Sequence, residues 1–163
     1  MKIRNARPAD LDALLGIYAA ARRYMAENGN PTQWADGRPY PDELTHAIEQ
    51  GSCLVGVDEN DAPHFAFMLF AEPDPTYETI YEGSWPNDAP YVTIHRVASD
   101  GTGHGVFASI VAYAREHAEA LGLHDHAAPH RQGGVLLLWH HPPGRRRPPP
   151  GLPSLVLERS AHA

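Results

Sequence analysis

One unit between Tyr91 and Leu121 limits the fold more than any other part of the chain. It reads YVTIHRVA, then SDGTGHG, then VFASIVAYAREHAEAL. The β-branched first part predicts a strand over Tyr91–Ala98. Alternation along it places Thr93, His95 and Val97 on one face and Val92, Ile94 and Arg96 on the other. Val106, Ile110, Val111, Ala114, Ala118 and Leu121 form an apolar stripe, predicting a helix over 105–121. Between them Gly101, Gly103 and Gly105 let the backbone turn sharply and approach a ligand. The helix start adds unpaired N–H groups and a positive dipole end, a combination that suits a pyrophosphate. The pattern fits a plain tight turn equally well. It is not a Walker loop, because no Lys-Ser/Thr pair follows the glycines. It is a poor dinucleotide fingerprint, because no βαβ unit precedes it.

The upstream chain reads as a strand over 1–6, a helix over 8–27 and a second helix over 41–50. Asn28-Gly29-Asn30-Pro31 stops the first helix and Gly51 the second. Two apolar runs, 52–57 and 64–70, read as antiparallel strands joined by a turn at 58–61. A polar loop over 72–88 leads to the Tyr91 strand. The order is therefore β-α-α-β-β-β-α. A length of 163 residues suits one domain. The net charge of -7 argues against a general nucleic-acid partner. No apolar stretch approaches a membrane span, and the N-terminus has no signal-peptide pattern. Cys53 is the sole cysteine, which points to a reducing, cytoplasmic setting. Its strand position suits a small core residue better than a nucleophile.

The opening IRNARPADLDALLGIY, the element order and the Tyr91–Leu121 unit together resemble the GNAT N-acetyltransferases over residues 1–121. The resemblance implies an α/β fold, a mixed sheet flanked by helices, with acetyl-CoA as co-substrate and a small-molecule amine as acceptor. It implies that the central strand splays from its neighbour and pairs through its free backbone with the pantetheine arm. Val97 and Ala98 would meet that arm. Thr102, Gly103, His104, Gly105, Val106 and Phe107 would form the pyrophosphate loop. The sequence departs from the family there: Thr102 stands where Gln or Arg is usual, and Phe107 where Gly or Ala is usual. His95 is the candidate base; a structural histidine bonded to a loop carbonyl is the competing reading. Gln33, Trp34 and Tyr40 stand where relatives line the acceptor pocket, although Trp34 also suits a staple of its loop to the core. Arg96, on the opposite face by alternation, reads as structural. A homodimer is compatible with the resemblance.

After Leu121 the sequence changes character. The family continues with a strand, a helix and closing strands. Here residues 122–163 are rich in His, Pro and Arg and read as an irregular tail beside an incomplete domain. His124, His126 and His130 lack tidy ligand geometry, so no metal site is assigned. Arg145–Arg147 reads as a docking motif or a solvated segment. A shifted reading frame also accounts for the tail: codons for Trp139 and His140, read one nucleotide later, must give glycine. The region from Pro142 to Pro153 is expected to form neither helix nor central strand. At most, 135–139 adds one short strand. Two functional classes remain open from the residues: an acetyltransferase impaired at its C-terminal end, and a non-catalytic CoA-binding or interaction module or inactive gene remnant.

Overall fold

The computed structural model describes residues 1–32, 34–71, 91–121, 135–138 and 154–158. Six strands form one sheet in the order β1-β2-β3-β4-β6-β5. They are β1 (Lys2–Asn5), β2 (Cys53–Val57), β3 (Pro63–Phe70), β4 (Tyr91–Ser99), β5 (Val135–Leu138) and β6 (Ser154–Glu158). Among the described residues three helices flank it: α1 (Leu11–Glu27), α2 (Pro41–Glu49) and α3 (Val106–Ala120). A short 3-10 turn at Pro8–Asp10 leads into α1. None of the described helices is long and apolar enough to cross a membrane.

Both faces of the sheet are covered, which is why its central strands read as continuous apolar runs. On one face Leu14, Ile17, Tyr18 and Ala21 of α1 and Leu44 and Ile48 of α2 pack over Cys53, Val55, Ala66 and Met68. On the other, Ile110, Ala114 and Ala118 of α3 pack over Leu54, Phe65, Phe67, Val92 and Ile94. Burial pushes the Cys53 thiol up to about 11, so it is an uncharged core group. A bidentate pair fastens the N-terminal strand: Arg4 Nη1 and Nη2 lie 2.8 and 3.1 Å from the two oxygens of Asp10.

The expected elements stand within a residue or three of their sequence bounds. Two expectations are corrected. The sheet expected to be mixed is antiparallel at every pairing described. The reason is topological: β4 and β5 run the same way across the α3 connection, but β6 lies between them and opposes both. The tail expected to be irregular also carries two strands. β5 is the one anticipated within 135–139; β6 was not. Its Ser-Leu-Val-Leu-Glu is a short apolar run that the prolines before it concealed. Pro142–Pro153, Arg145–Arg147 and the histidines at 124, 126 and 130 lie outside the described residues.

Gly56 shows how closely two neighbouring strands pack. It pairs with Phe65 beside a register shift in the β2–β3 ladder. A methyl group on Gly56 would overlap the ring of Phe65, which is fully buried. Gly56→Ala is therefore expected to destabilise the fold by about 1–3 kcal/mol through overpacking. Urea unfolding of the two proteins measures this as a lower midpoint at unchanged slope.

Candidate functional site

The site is built around an irregularity in β4. Ala98 pairs with Ala66 and His95 with Met68, so two residues of β4 oppose one of β3. The extra residue is a β-bulge at Arg96–Val97. Arg96 has φ 52°, a left-handed conformation that for a side chain of this size costs about 1–3 kcal/mol. Its carbonyl accepts a hydrogen bond of 2.8 Å from the Tyr18 hydroxyl. Tyr18 is fully buried in α1, and burial pushes its phenol up, which keeps it a donor. The edge of the Trp34 ring packs on Tyr18 at 5.6 Å between centroids.

The bulge corrects the face assignment made from alternation. A strand's two-residue period slips by one wherever an extra residue is inserted. Val97 joins Val92 and Ile94 in the core under α3, while Ala98 lies in the core under α1. His95 and Arg96 both line the cleft beneath α2. Thus His95 does not share a face with Val97, and Arg96 is not confined to the opposite side.

That cleft has a volume of about 730 Å³, with Glu43, His46 and Gln50 on one wall and Met68, Phe70, His95 and Arg96 on the other. The His95 ring packs edge-on against Phe70 at 5.7 Å. Glu43 has both carboxylate oxygens engaged. One receives Arg38 Nη1 at 3.0 Å and Arg96 Nη2 at 3.4 Å; the other accepts the Tyr40 N–H at 2.9 Å, closing the first turn of α2. Of the acceptor-pocket residues named from sequence, Trp34 serves as a wall of the core beside Tyr18. Tyr40 caps α2 with its ring under the Arg38 guanidinium at 5.3 Å. Gln33 lies outside the described residues. Sequence reasoning missed Glu43 and His46, which occupy an ordinary amphipathic helix and carry no motif.

On the far side of the bulge β4 loses a neighbour. Its pairing with β6 ends at Ile94, opposite Leu155. Among the described residues no strand pairs that edge from His95 to Ser99. The Asp100 N–H bonds the His64 carbonyl of β3 at 3.0 Å. Backbone groups alternate along a strand, so with Asp100 turned to β3 by that bond, Ala98 faces β3 too and Ser99 and Val97 face the other side. The glycine loop follows directly. Gly105 has φ 69°, and nothing lies within 4 Å of the position a Cβ would take. The Ser109 N–H bonds the Gly105 carbonyl at 3.0 Å as α3 begins. The amides of the first helical turn, from Val106, precede that bond and have no acceptor within the helix. Phe107 is exposed at the helix start, as is the His104 side chain within the loop.

Thr102 faces inward to its own loop. Its hydroxyl and amide donate to one Asp100 oxygen at 2.7 and 2.9 Å. The other Asp100 oxygen meets His64 Nδ1 at 2.7 Å. His64 Nε2 lies 3.7 Å from Asp58, in the β2–β3 turn. His64 thereby ties the glycine loop to the hairpin. The hydrogen bond with Asp100 holds its imidazole above the ordinary histidine value, against a smaller loss from burial. Burial pushes the Asp100 carboxyl up, but the bonds from Thr102 and His64 together carry it below its ordinary value.

These opposite shifts define a pH window. The raised His64 contributes stability that is complete below its unfolded value of about 6.5 and is lost as pH rises through the folded one. The lowered Asp100 contributes stability present above about 3.9 and lost as pH falls through its folded value. The tie is therefore strongest between those limits. His64→Gln is expected to destabilise the protein more at pH 6 than at pH 8.5. Thermal melts of both proteins across that range check it; parallel pH profiles would show that the contact carries no stability.

No family model matches the sequence, and no curated protein matches it. Solved structures do. An acetyltransferase of the GNAT family from Streptococcus agalactiae superposes at a TM-score of 0.64, covering 99% of this chain and 96% of its own, at 20% identity. A GNAT-family acetyltransferase from Listeria monocytogenes gives 0.59 over 97% and 93%, at 16% identity. An acetyltransferase from Staphylococcus aureus gives 0.58 over 77% and 76%, at 20% identity. At these identities the likeness is one of fold: the chain folds as a GNAT acetyltransferase does.

Proposed function

We propose that the protein transfers an acetyl group from acetyl-CoA to the nitrogen of a small-molecule amine. The observation that carries this reading is the open edge of β4 at Val97 and Ser99, running directly into the glycine loop and the first turn of α3. A β-alanine and pantetheine arm is an extended chain of amides, and an unpaired strand edge offers it complementary donors and acceptors. The open space beside Gly105 and the helix-start amides suit the pyrophosphate, with His104 the one ionisable side chain from Thr102 to Phe107. The refinement over the sequence reading is that Val97 and Ser99, rather than Ala98, offer backbone groups to the arm.

The amine belongs in the cleft beneath α2, on the other side of the bulge. Its nitrogen lone pair attacks the thioester carbonyl carbon. A C–N bond forms, the C–S bond breaks and the sulfur leaves as thiolate. His95 takes the proton released by nitrogen and returns it to the thiolate. Holding both reactants across one strand is the largest contribution asked of the protein.

The loop gives the sharpest test. Gly105→Asp places a carboxylate where the phosphates would lie, and aspartate tolerates a left-handed φ better than most residues. Acetyl-CoA binding by calorimetry should weaken by about a hundredfold or more, with the melting temperature of the free protein nearly unchanged. Unaltered affinity would remove the loop from the site. Binding without thiol release across an amine panel would favour the non-catalytic module.

A further inference from the structure

The cleft beneath α2 has a built-in preference that the fold does not explain. Alternation would bury residue 96 against α3, and the bulge instead turns it to the cleft. Arg96 holds a left-handed backbone to stand there, and the Tyr18 hydroxyl fixes its carbonyl. A strained residue held in place by a buried donor is a feature that structures keep where geometry matters to a ligand.

The guanidinium is under-used in that position. Its one hydrogen bond reaches Glu43 at a long 3.4 Å. Among the described residues it makes no other side-chain bond, although the fork has several N–H donors. Glu43 is in no position to satisfy it further. The same Glu43 oxygen already takes Arg38 at 3.0 Å, and the second oxygen takes the Tyr40 amide. Glu43 is equally ill placed to receive a cation, because each oxygen is engaged and two guanidinium groups stand beside it. Arg96 is 31% exposed, so its free donors are accessible from the cleft while partly shielded from water.

We propose that the acceptor is an amine that also bears a carboxylate, an amino acid or a close relative, and that Arg96 grips the carboxylate. Partial desolvation makes a bidentate Arg–carboxylate contact strong and directional. It would fix the acceptor at one end and leave the amine to reach toward β4, on the same wall as His95. A cleft of about 730 Å³ accommodates such a molecule. The acidic net charge of the whole chain does not oppose this. Exposed carboxylates beyond about 8 Å are largely screened at physiological salt, and the local cation decides.

This inference rests on the acetyltransferase reading, and the test separates the two. Thiol release is measured with amino acids and with their decarboxylated amines, on the native protein and on Arg96→Gly. Glycine accepts the left-handed φ, so the variant removes the guanidinium while relieving strain. The expected result is a kcat/KM ratio in favour of the carboxylate-bearing partner of at least about tenfold, falling to near unity in Arg96→Gly, mostly through KM. Arg96→Lys should recover only part of the ratio, because a point charge cannot make the bidentate contact. Acetyl-CoA affinity, measured by calorimetry, should be the same in all three. A native preference for the decarboxylated amines, or a ratio unchanged in Arg96→Gly, overturns the proposal while leaving acetyl transfer intact. If no amine gives turnover, calorimetric titration of the amino acids alone still decides. Binding to the native protein that is lost in Arg96→Gly supports the anion site without the enzyme, and absence of binding overturns it.

Discussion

The hydrogen bond from Tyr18 to the Arg96 carbonyl is the contact on which the arrangement of the site depends. A bulge in a central strand breaks one rung of a ladder and leaves a backbone group to be satisfied. Here a buried phenol from α1 does so at 2.8 Å. Because the phenol is deep in the core and pushed toward its protonated form, the donor is always present. The ring of Trp34 packs edge-on against Tyr18, so the loop before α2 packs against the same point. One side chain therefore links α1, the α2 approach and β4.

The consequences of the bulge run in two directions. On the sheet face it sends Arg96 to the cleft beneath α2, beside His95, and returns Val97 to the core beneath α3. Along the sheet edge, a bulge adds local twist, and it follows immediately on the point where β4 parts from β6 at Ile94. The parting exposes backbone; the face change exposes side chains. On the proposed reading the strand offers amides on one side to an extended ligand and functional groups on the other to a second one. A bimolecular reaction needs two binding places that meet at one line, and β4 has that form.

Much of this architecture was legible in the sequence and some was not, for identifiable reasons. Elements with strong periodicity or clear punctuation stood out: α1 by its apolar stripe, α2 by Gly51, α3 by the glycines before it. The bulge was invisible. Nothing in HRVA distinguishes a regular alternation from one with an extra residue, since the signal lies in Tyr18, 78 positions upstream. The face of Val97 was misassigned for that reason, and Arg96 was set aside with it. β6 was hidden because its five residues follow a proline cluster that lowers any local strand signal. The His64 tie was illegible because its partners Asp58 and Asp100 come from two separate turns, and only the β3–β4 register brings them together.

On the proposed reading, the glycine loop recognises its ligand through backbone groups, and such a site tolerates changes of side chain. A site made of side chains constrains the residues that make it. A site made of backbone amides constrains only conformation. Gly105 must hold a left-handed φ with open space beside it, and the first turn of α3 must begin just after it. Thr102, where the GNAT pattern has Gln or Arg, spends its hydroxyl on Asp100 within the loop. Phe107 is free to be large because it is exposed at the helix start instead of filling the loop. The same reasoning turns around at the acceptor cleft. That cleft is lined by side chains, among them His46, His95 and Arg96, so on the proposed reading their identity, and not backbone conformation alone, sets which amine is taken.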